Sequence, residues 1–397
     1  MNSKKIVIAL AFVGLMFFSL GFALGINSFL IPVLQGGFSN VNTYLLIAAT
    51  FIPFLIFGYP ASMLINKIGY KGTMASSFIL FAIAFGGYIL SAKEESFMLF
   101  LVASFISGTA NTVLQAAVNP YVTILGPMES AARRISCMGI CNKLAWPVAP
   151  LFLAFVIGKP VGDTTLPDLY TPFYIIIAIF IFLGILSLLA PLPEVKAVGE
   201  DESSAQECPY AAGKTSIWQF PHLLLGALAL FVYVGVETVS LSTLVDYASA
   251  LGLANASNYA WISAIGMVIG YICGIIFIPK YLSQSNALMI CAWIAIIGSL
   301  AVPLAPADLS IWFVALLALG CSLMWPALWP LAMTDLGKFT KQGSSLLVMA
   351  MAGGAVIPWL FGVLKEGFGI QQAYWICLPC FIVILLYGTF WYKIRTK

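Results

Sequence analysis

Twelve apolar stretches follow one another along the chain, at roughly 6–31, 42–66, 71–91, 97–126, 133–158, 170–191, 219–249, 256–279, 284–304, 309–335, 342–365 and 371–393. As a helix, each is about the 20 residues needed to cross the hydrocarbon core of a bilayer. No other feature limits the fold so strongly, because in lipid the backbone N–H and C=O groups must be satisfied inside the protein. With 61% hydrophobic and only 8% charged residues among 397, the chain has too little polar surface for a water-soluble globule. It reads as an all-α integral membrane protein with twelve transmembrane helices. Lys4 and Lys5 precede a first run that is too long for a signal-peptide core and lacks a small-residue cleavage site, so the first span is expected to be retained.

The basic residues orient the spans. With the N-terminus inside, one face collects Lys4, Lys5, Lys67, Lys71, Arg133, Arg134, Lys196, Lys214, Lys280, Lys338, Lys341, Lys393, Arg395 and Lys397, against only Lys93, Lys159 and Lys365 on the other. Fourteen against three is a strong positive-inside bias, which predicts that both termini are cytoplasmic in the cytoplasmic (inner) membrane. The net charge of +3 is mostly this topological bias and calls for no nucleic-acid partner.

The run Glu200, Asp201, Glu202, Ser203, Ser204 and Glu207 stands apart in composition and marks a solvated connection. It divides the chain into an N-terminal six-helix half (1–193), a cytoplasmic linker (194–216) and a C-terminal six-helix half (217–397). The halves echo each other at offsets of 208 to 213: Gly25 to Ser28 answers to Gly235 to Thr238, Gly58 and Tyr59 before Lys67 answer to Gly270 and Tyr271 before Lys280, and Ser136 with Pro150 answers to Ser344 with Pro358. Two pseudo-symmetric halves are a known transporter plan, with substrate bound near the midplane between the repeats.

Lys143 lies in an apolar run, Ile135 to Ile157, that holds no other charge. It is ten residues beyond Arg133, which at ~1.5 Å per residue puts it about 15 Å along the helix, near the midplane. In the preceding span Asn111, Gln115 and Asn119 recur every four residues and share one helix face. Three amides cannot face lipid, so the face lines a wet cavity or bonds neighbouring helices.

The blocks LQAAVNPYVTILGP (Leu114 to Pro127), ESAARRISCMGICNK (to Lys143), NSFLIP (Asn27 to Pro32), FVYVGVE (Phe231 to Glu237) and GSSLLVMAMAGGAVIP (Gly343 to Pro358) lie in both halves. Together they resemble the fucose/galactose/glucose:proton symporter family of the major facilitator superfamily, and most of all its bacterial glucose/galactose transporter branch. The resemblance implies the twelve-helix major facilitator fold and uptake of a hexose. It also implies that the segment Gly58 to Lys71 is a degenerate form of the superfamily's loop between spans two and three, serving the inward gate. Ser28 and Gln115 stand where fucose-type members carry an aspartate and a glutamate associated with proton coupling. Neither side chain titrates near neutral pH, which leaves Lys143, Glu237 and Asp246 as the titratable groups within the spans.

Glu237 is expected on one face with Tyr233 and Ser240. Either charge alone costs about 2.5 to 3.5 kcal/mol at the centre of a spanning helix, and pairing Lys143 with Glu237 offsets much of that. The two are the coupling candidates; the alternative is a static pair that fixes packing, or two charges in separate water pockets. Hexose hydroxyls need donors and acceptors while the C–H face packs on rings, so the substrate-binding candidates are Asn27, Gln115, Asn119, Asn142, Trp325 and Trp329. For the two tryptophans, packing or anchorage in the lipid interface is an equal alternative.

Other features point away from chemistry. Cys137 with Cys141 and Cys377 with Cys380 sit inside apolar spans without a histidine nearby and read as small buried residues. His222, the one histidine, is expected at the interface, and Arg133 and Arg134 at a helix end beside Glu129. There is no nucleophile–base–metal constellation for a membrane enzyme, no G-x-x-x-x-G-K motif for an ATP-driven pump, and no sizeable soluble domain for a sensor. The expected function is therefore a secondary active hexose transporter, cation symport with a proton foremost, with sodium coupling, uncoupled passage or sensing as alternatives. Its expected partners are the sugar, the cation and membrane lipid, with no cofactor, no metal and a monomeric state.

Overall fold

The structure, a computed structural model, describes residues 3–38, 41–124, 131–190, 209–211, 213–278 and 281–396. Among these lie twelve helices long and apolar enough to cross a membrane: Ala9–Gly37, Leu45–Ile65, Lys67–Lys93, Phe97–Asn119, Arg134–Ile157, Leu166–Leu189, Pro221–Ser242, Ala256–Phe277, Gln284–Leu304, Ala307–Met333, Gln342–Phe368 and Ile370–Arg395. They are referred to below as the first to twelfth spans. An even number of crossings puts the first and last described residues on one side, the termini face; the opposite side is the far face. The acidic run of the expected linker and Glu129 lie outside the described residues, while Arg134 turns inward and its Nε donates to the Val122 carbonyl at 3.1 Å.

The second and third spans form one helical run, Leu45–Lys93, interrupted where Gly69 adopts φ 71° and ψ 176°. That left-handed backbone is open to glycine and strained for other residues, which explains why the reversal falls there. Spans expected as continuous helices are broken: the seventh at Thr243, the tenth at Ser322–Leu323, the eleventh at Met351–Ala352 and the twelfth at Phe390. The eleventh breaks at a glycine pair pressed against its neighbour: a Cβ on Gly353 would lie 1.7 Å from the Phe231 carbonyl oxygen.

The internal repeat has a physical counterpart in these close approaches. A Cβ on Gly25 of the first span would lie 2.4 Å from the Trp146 carbonyl oxygen of the fifth, and a Cβ on Gly235 of the seventh would lie 2.3 Å from Ile357 Cγ1 of the eleventh. The pairs 25/146 and 235/357 are offset by 210 and 211 positions. The same seam, first on fifth and seventh on eleventh, is built twice, with small residues letting backbones approach as membrane helices require.

Large apolar side chains such as Phe155, 86% exposed, cover the outside of the bundle, the surface that lipid takes in place of water. The expectation that Cys137 and Cys141 are buried is corrected: Cys137 is exposed and Cys141 only partly covered. His222 stands at the start of the seventh span. It is fully buried, its Nε2 lies 2.9 Å from the Thr334 carbonyl oxygen, and it packs on Tyr210 and Phe220.

Candidate functional site

A cavity lies between the halves in the middle of the bundle. Its polar lining comes from Gln115 and Asn119 of the fourth span, Asn142 and Lys143 of the fifth, and Tyr233, Glu237 and Thr238 of the seventh. Trp146, Tyr271 and Trp325 supply rings.

At its centre, Lys143 Nζ lies 3.0 Å from Glu237 Oε1, with the two side chains 9% and 11% exposed. The pair joins the first half to the second. Glu237 Oε1 also accepts the Tyr233 hydroxyl, one helical turn back on the same face, as the spacing of 233 and 237 requires. No donor reaches Glu237 Oε2 among the described residues. The hydroxyl bond and the ammonium contact both fall on Oε1, so the carboxylate is held at one corner.

The amides of the fourth span form a ladder on one helix face. Gln115 Nε2 donates to Asn111 Oδ1 at 3.2 Å, and Asn119 Nδ2 to Gln115 Oε1 at 3.5 Å. Gln115 and Asn119 reach the cavity, and their mutual bonds fix which end of each amide faces it. Asn142 Nδ2 is tied to the Phe17 carbonyl at 3.0 Å, so its oxygen is the end free to meet a ligand. Asn27 is not among the lining residues: it lies 2% exposed with its Nδ2 3.3 Å from Thr50 Oγ1, and its Oδ1 has no partner. Trp325 lines the cavity, whereas Trp329, one turn further along the helix, stacks against it with ring centroids 5.2 Å apart and 30° between planes.

Two side chains that the sequence did not mark as site candidates, Trp146 and Tyr271, also belong to the lining. Tyr271 follows Gly270 in the repeated Gly–Tyr pair, and a Cβ on Gly139 would lie 2.8 Å from its ring. The fifth and eighth spans, from opposite halves, meet there.

A second polar contact between halves seals the far face. Lys365 Nζ lies 2.9 and 2.7 Å from the two Asp246 carboxylate oxygens. The Tyr44 hydroxyl donates to Asp246 Oδ2 at 2.5 Å. Gln35 completes the group when its amide nitrogen faces Asp246 Oδ1 (3.2 Å) and its oxygen faces Lys365 (3.0 Å). Gln35 and Tyr44 belong to the first half, Asp246 and Lys365 to the second. The cavity lies on the termini side of this network and reaches Ile135, close to the start of the fifth span.

Twelve spans, a duplicated glycine seam and a central polar cavity between halves describe an architecture, and the sequence comparison decides which one. Residues 11–357 match the Major Facilitator Superfamily. The chain belongs to the Major Facilitator Superfamily. Among members of the superfamily, a glucose/galactose transporter of Brucella abortus biovar 1 (strain 9-941) is 33% identical over 402 residues, 98% of this chain and 95% of that one. The L-fucose-proton symporter of Escherichia coli (strain K12) is 27% identical over 415 residues, 98% of this chain and 94% of the relative. In three dimensions the chain is similar to the major facilitator transporter FucP in its outward conformation, with a TM-score of 0.74, 25% identity, and coverage of 98% and 99%. The protein is thus a membrane transporter of the major facilitator fold and not an enzyme.

Proposed function

We propose that this chain is a secondary transporter that takes up a hexose of the glucose, galactose or fucose kind by alternating access, with a proton as the coupled ion. Residues 1–193 and 217–397 are the two rocking bodies, joined by the connection 194–216, and the termini face is cytoplasmic, which the excess of Lys and Arg there supports. The hexose class is supported by two full-length relatives whose names are those of hexose carriers.

The observation that carries the reading is the 3.0 Å Lys143–Glu237 pair, which crosses between halves inside a cavity lined by amides and rings. Gln115, Asn119 and Asn142 hold sugar hydroxyls, Trp325 offers a face to the C–H side of the ring, and Trp329 backs Trp325. Asn27 acts from behind the cavity wall through the first span. Protonation of Glu237 removes the charge that Lys143 is paired with and weakens this buried ion pair between halves; loss of the proton restores it. Proton binding and rocking are thereby linked through one carboxylate.

The test is uptake of labelled hexoses into proteoliposomes under an imposed proton gradient, a sodium gradient, or neither. Accumulation above equilibrium only with the proton gradient is expected. Accumulation with sodium alone, equilibration without any gradient dependence, or no movement of any hexose would each overturn a stated part of the reading.

A further inference from the structure

Trp146 is 4% exposed, lines the cavity, and its indole nitrogen has no hydrogen-bond partner. An unmade bond at a buried donor is uncommon in folded proteins and costs the desolvation of that group. The indole N–H can only donate, so whatever satisfies it must bring an acceptor to that edge of the ring.

The ring is mounted to do this reproducibly. Trp146 lies on the same helix face as Asn142 and Lys143, four and three positions back. Its own carbonyl is wedged against Gly25 of the first span, where a Cβ would come within 2.4 Å. Lys143 Nζ stands 5.8 Å from the ring centroid while it holds Glu237 at 3.0 Å. The fifth span therefore carries an unpartnered N–H donor and a cation at the cavity wall, and the seventh carries the Glu237 carboxylate paired with that cation. A polyol fits this pattern, because each hydroxyl can accept from one group and donate to another. A purely apolar or cationic cargo would leave the donor unmet.

We propose that the Trp146 indole N–H donates to one oxygen of the transported sugar and so selects for substrates that carry an oxygen at that position. The assignment rests on the hexose reading above. It differs from a packing role, for which the ring alone would suffice, and that difference is measurable. Binding of the preferred hexose and of its complete set of monodeoxy analogues is measured by calorimetry on the purified full-length chain and on Trp146→Phe, with the unliganded melting temperature as a check on folding.

The expected result is a loss of about five- to tenfold in affinity for the hexose in the Phe variant, the size of one neutral hydrogen bond. One analogue, already weakened by a similar factor on the unchanged protein, should lose nothing further in the variant. The other analogues should lose as the hexose does. Equal affinities of the two proteins for every sugar, or an equal loss for every sugar including all the deoxy analogues, would overturn the assignment. If Trp146→Phe does not fold, the unchanged protein still decides: an absence of any analogue weakened about fivefold or more overturns it. Should the unchanged protein bind no hexose, the hexose reading falls and the assignment with it, whereas binding without discrimination at Trp146 removes the assignment alone.

Discussion

The Tyr44 hydroxyl donates to Asp246 Oδ2 at 2.5 Å, joining residues 202 positions apart. This bond closes the far face between the halves, and Lys365 and Gln35 surround the same carboxylate. Opening that face requires that the bond break, so its strength sets part of the balance between states. A hydrogen bond to a charged group contributes about 1.5–3 kcal/mol, which corresponds to a shift of roughly ten- to a hundredfold in a two-state population. Tyr44→Phe is expected to move the protein toward a far-side-open state by about tenfold or more. Distances between spin labels at Glu95→Cys and Asp308→Cys, exposed far-side positions in the two halves, measured in a background without the native cysteines, check this; an unchanged distance distribution contradicts it.

The central pair predicts a different pattern. Removing one partner leaves a buried charge alone, at about 3–5 kcal/mol for a fully buried pair. Lys143→Gln and Glu237→Gln should each lower the melting temperature in detergent, and the double variant should recover part of the loss. Uptake in the Glu237→Gln variants should lose its dependence on the proton gradient. Full uptake with unchanged pH dependence in all three variants would show that the pair only packs.

The glycine seam can be tested by adding single methyl groups. Gly25→Ala and Gly235→Ala place Cβ atoms 2.4 and 2.3 Å from existing atoms, whereas Gly86 in the third span has nothing within 4 Å. Overpacking costs typically 1–3 kcal/mol, while Ala in an open helix position gains about 0.5–1 kcal/mol over Gly. Gly25→Ala should destabilise most, because its obstacle is the Trp146 backbone oxygen; Gly235→Ala meets a side chain first and should cost less. Gly86→Ala should be neutral or stabilising. Thermal unfolding of the three variants gives the order.

The two stacked tryptophans differ in their access to the cavity. Trp325 lines it and Trp329 stacks against Trp325. Trp325→Ala should weaken hexose binding by about tenfold or more, and Trp329→Ala by only about two- to threefold, through loss of support. Equal losses measured by calorimetry would mean that both rings act through packing.

Much of this was legible from the chain because membrane helices must satisfy their own backbones. The spans, the doubling and the buried pair all follow from apolar length, offset and the cost of an isolated charge. The amide ladder of Asn111, Gln115 and Asn119 was visible as an i, i+4 pattern, and Tyr233 with Glu237 likewise. Trp146 and Tyr271 were not, since an aromatic in an apolar run carries no periodic mark of whether it faces lipid, core or cavity. The Gln35–Tyr44–Asp246–Lys365 group was hidden for another reason: its members come from four separate segments and share no spacing. The breaks in the tenth and eleventh spans were missed because they depend on a neighbour's backbone, such as the Phe231 carbonyl against Gly353, and not on local propensity.

The two inter-half contacts differ in where they sit on the lever. In a rocking cycle the displacement of an atom grows with its distance from the pivot. The Tyr44–Asp246 bond at the rim is swept furthest and has to be made and broken at every turnover. The Lys143–Glu237 pair lies in the middle of the bundle and is displaced less, so a small tilt suffices to make or release it. On the proposed reading, a carboxylate in that position works as a latch: charged, it ties the two bodies together, and protonated, it lets them tilt.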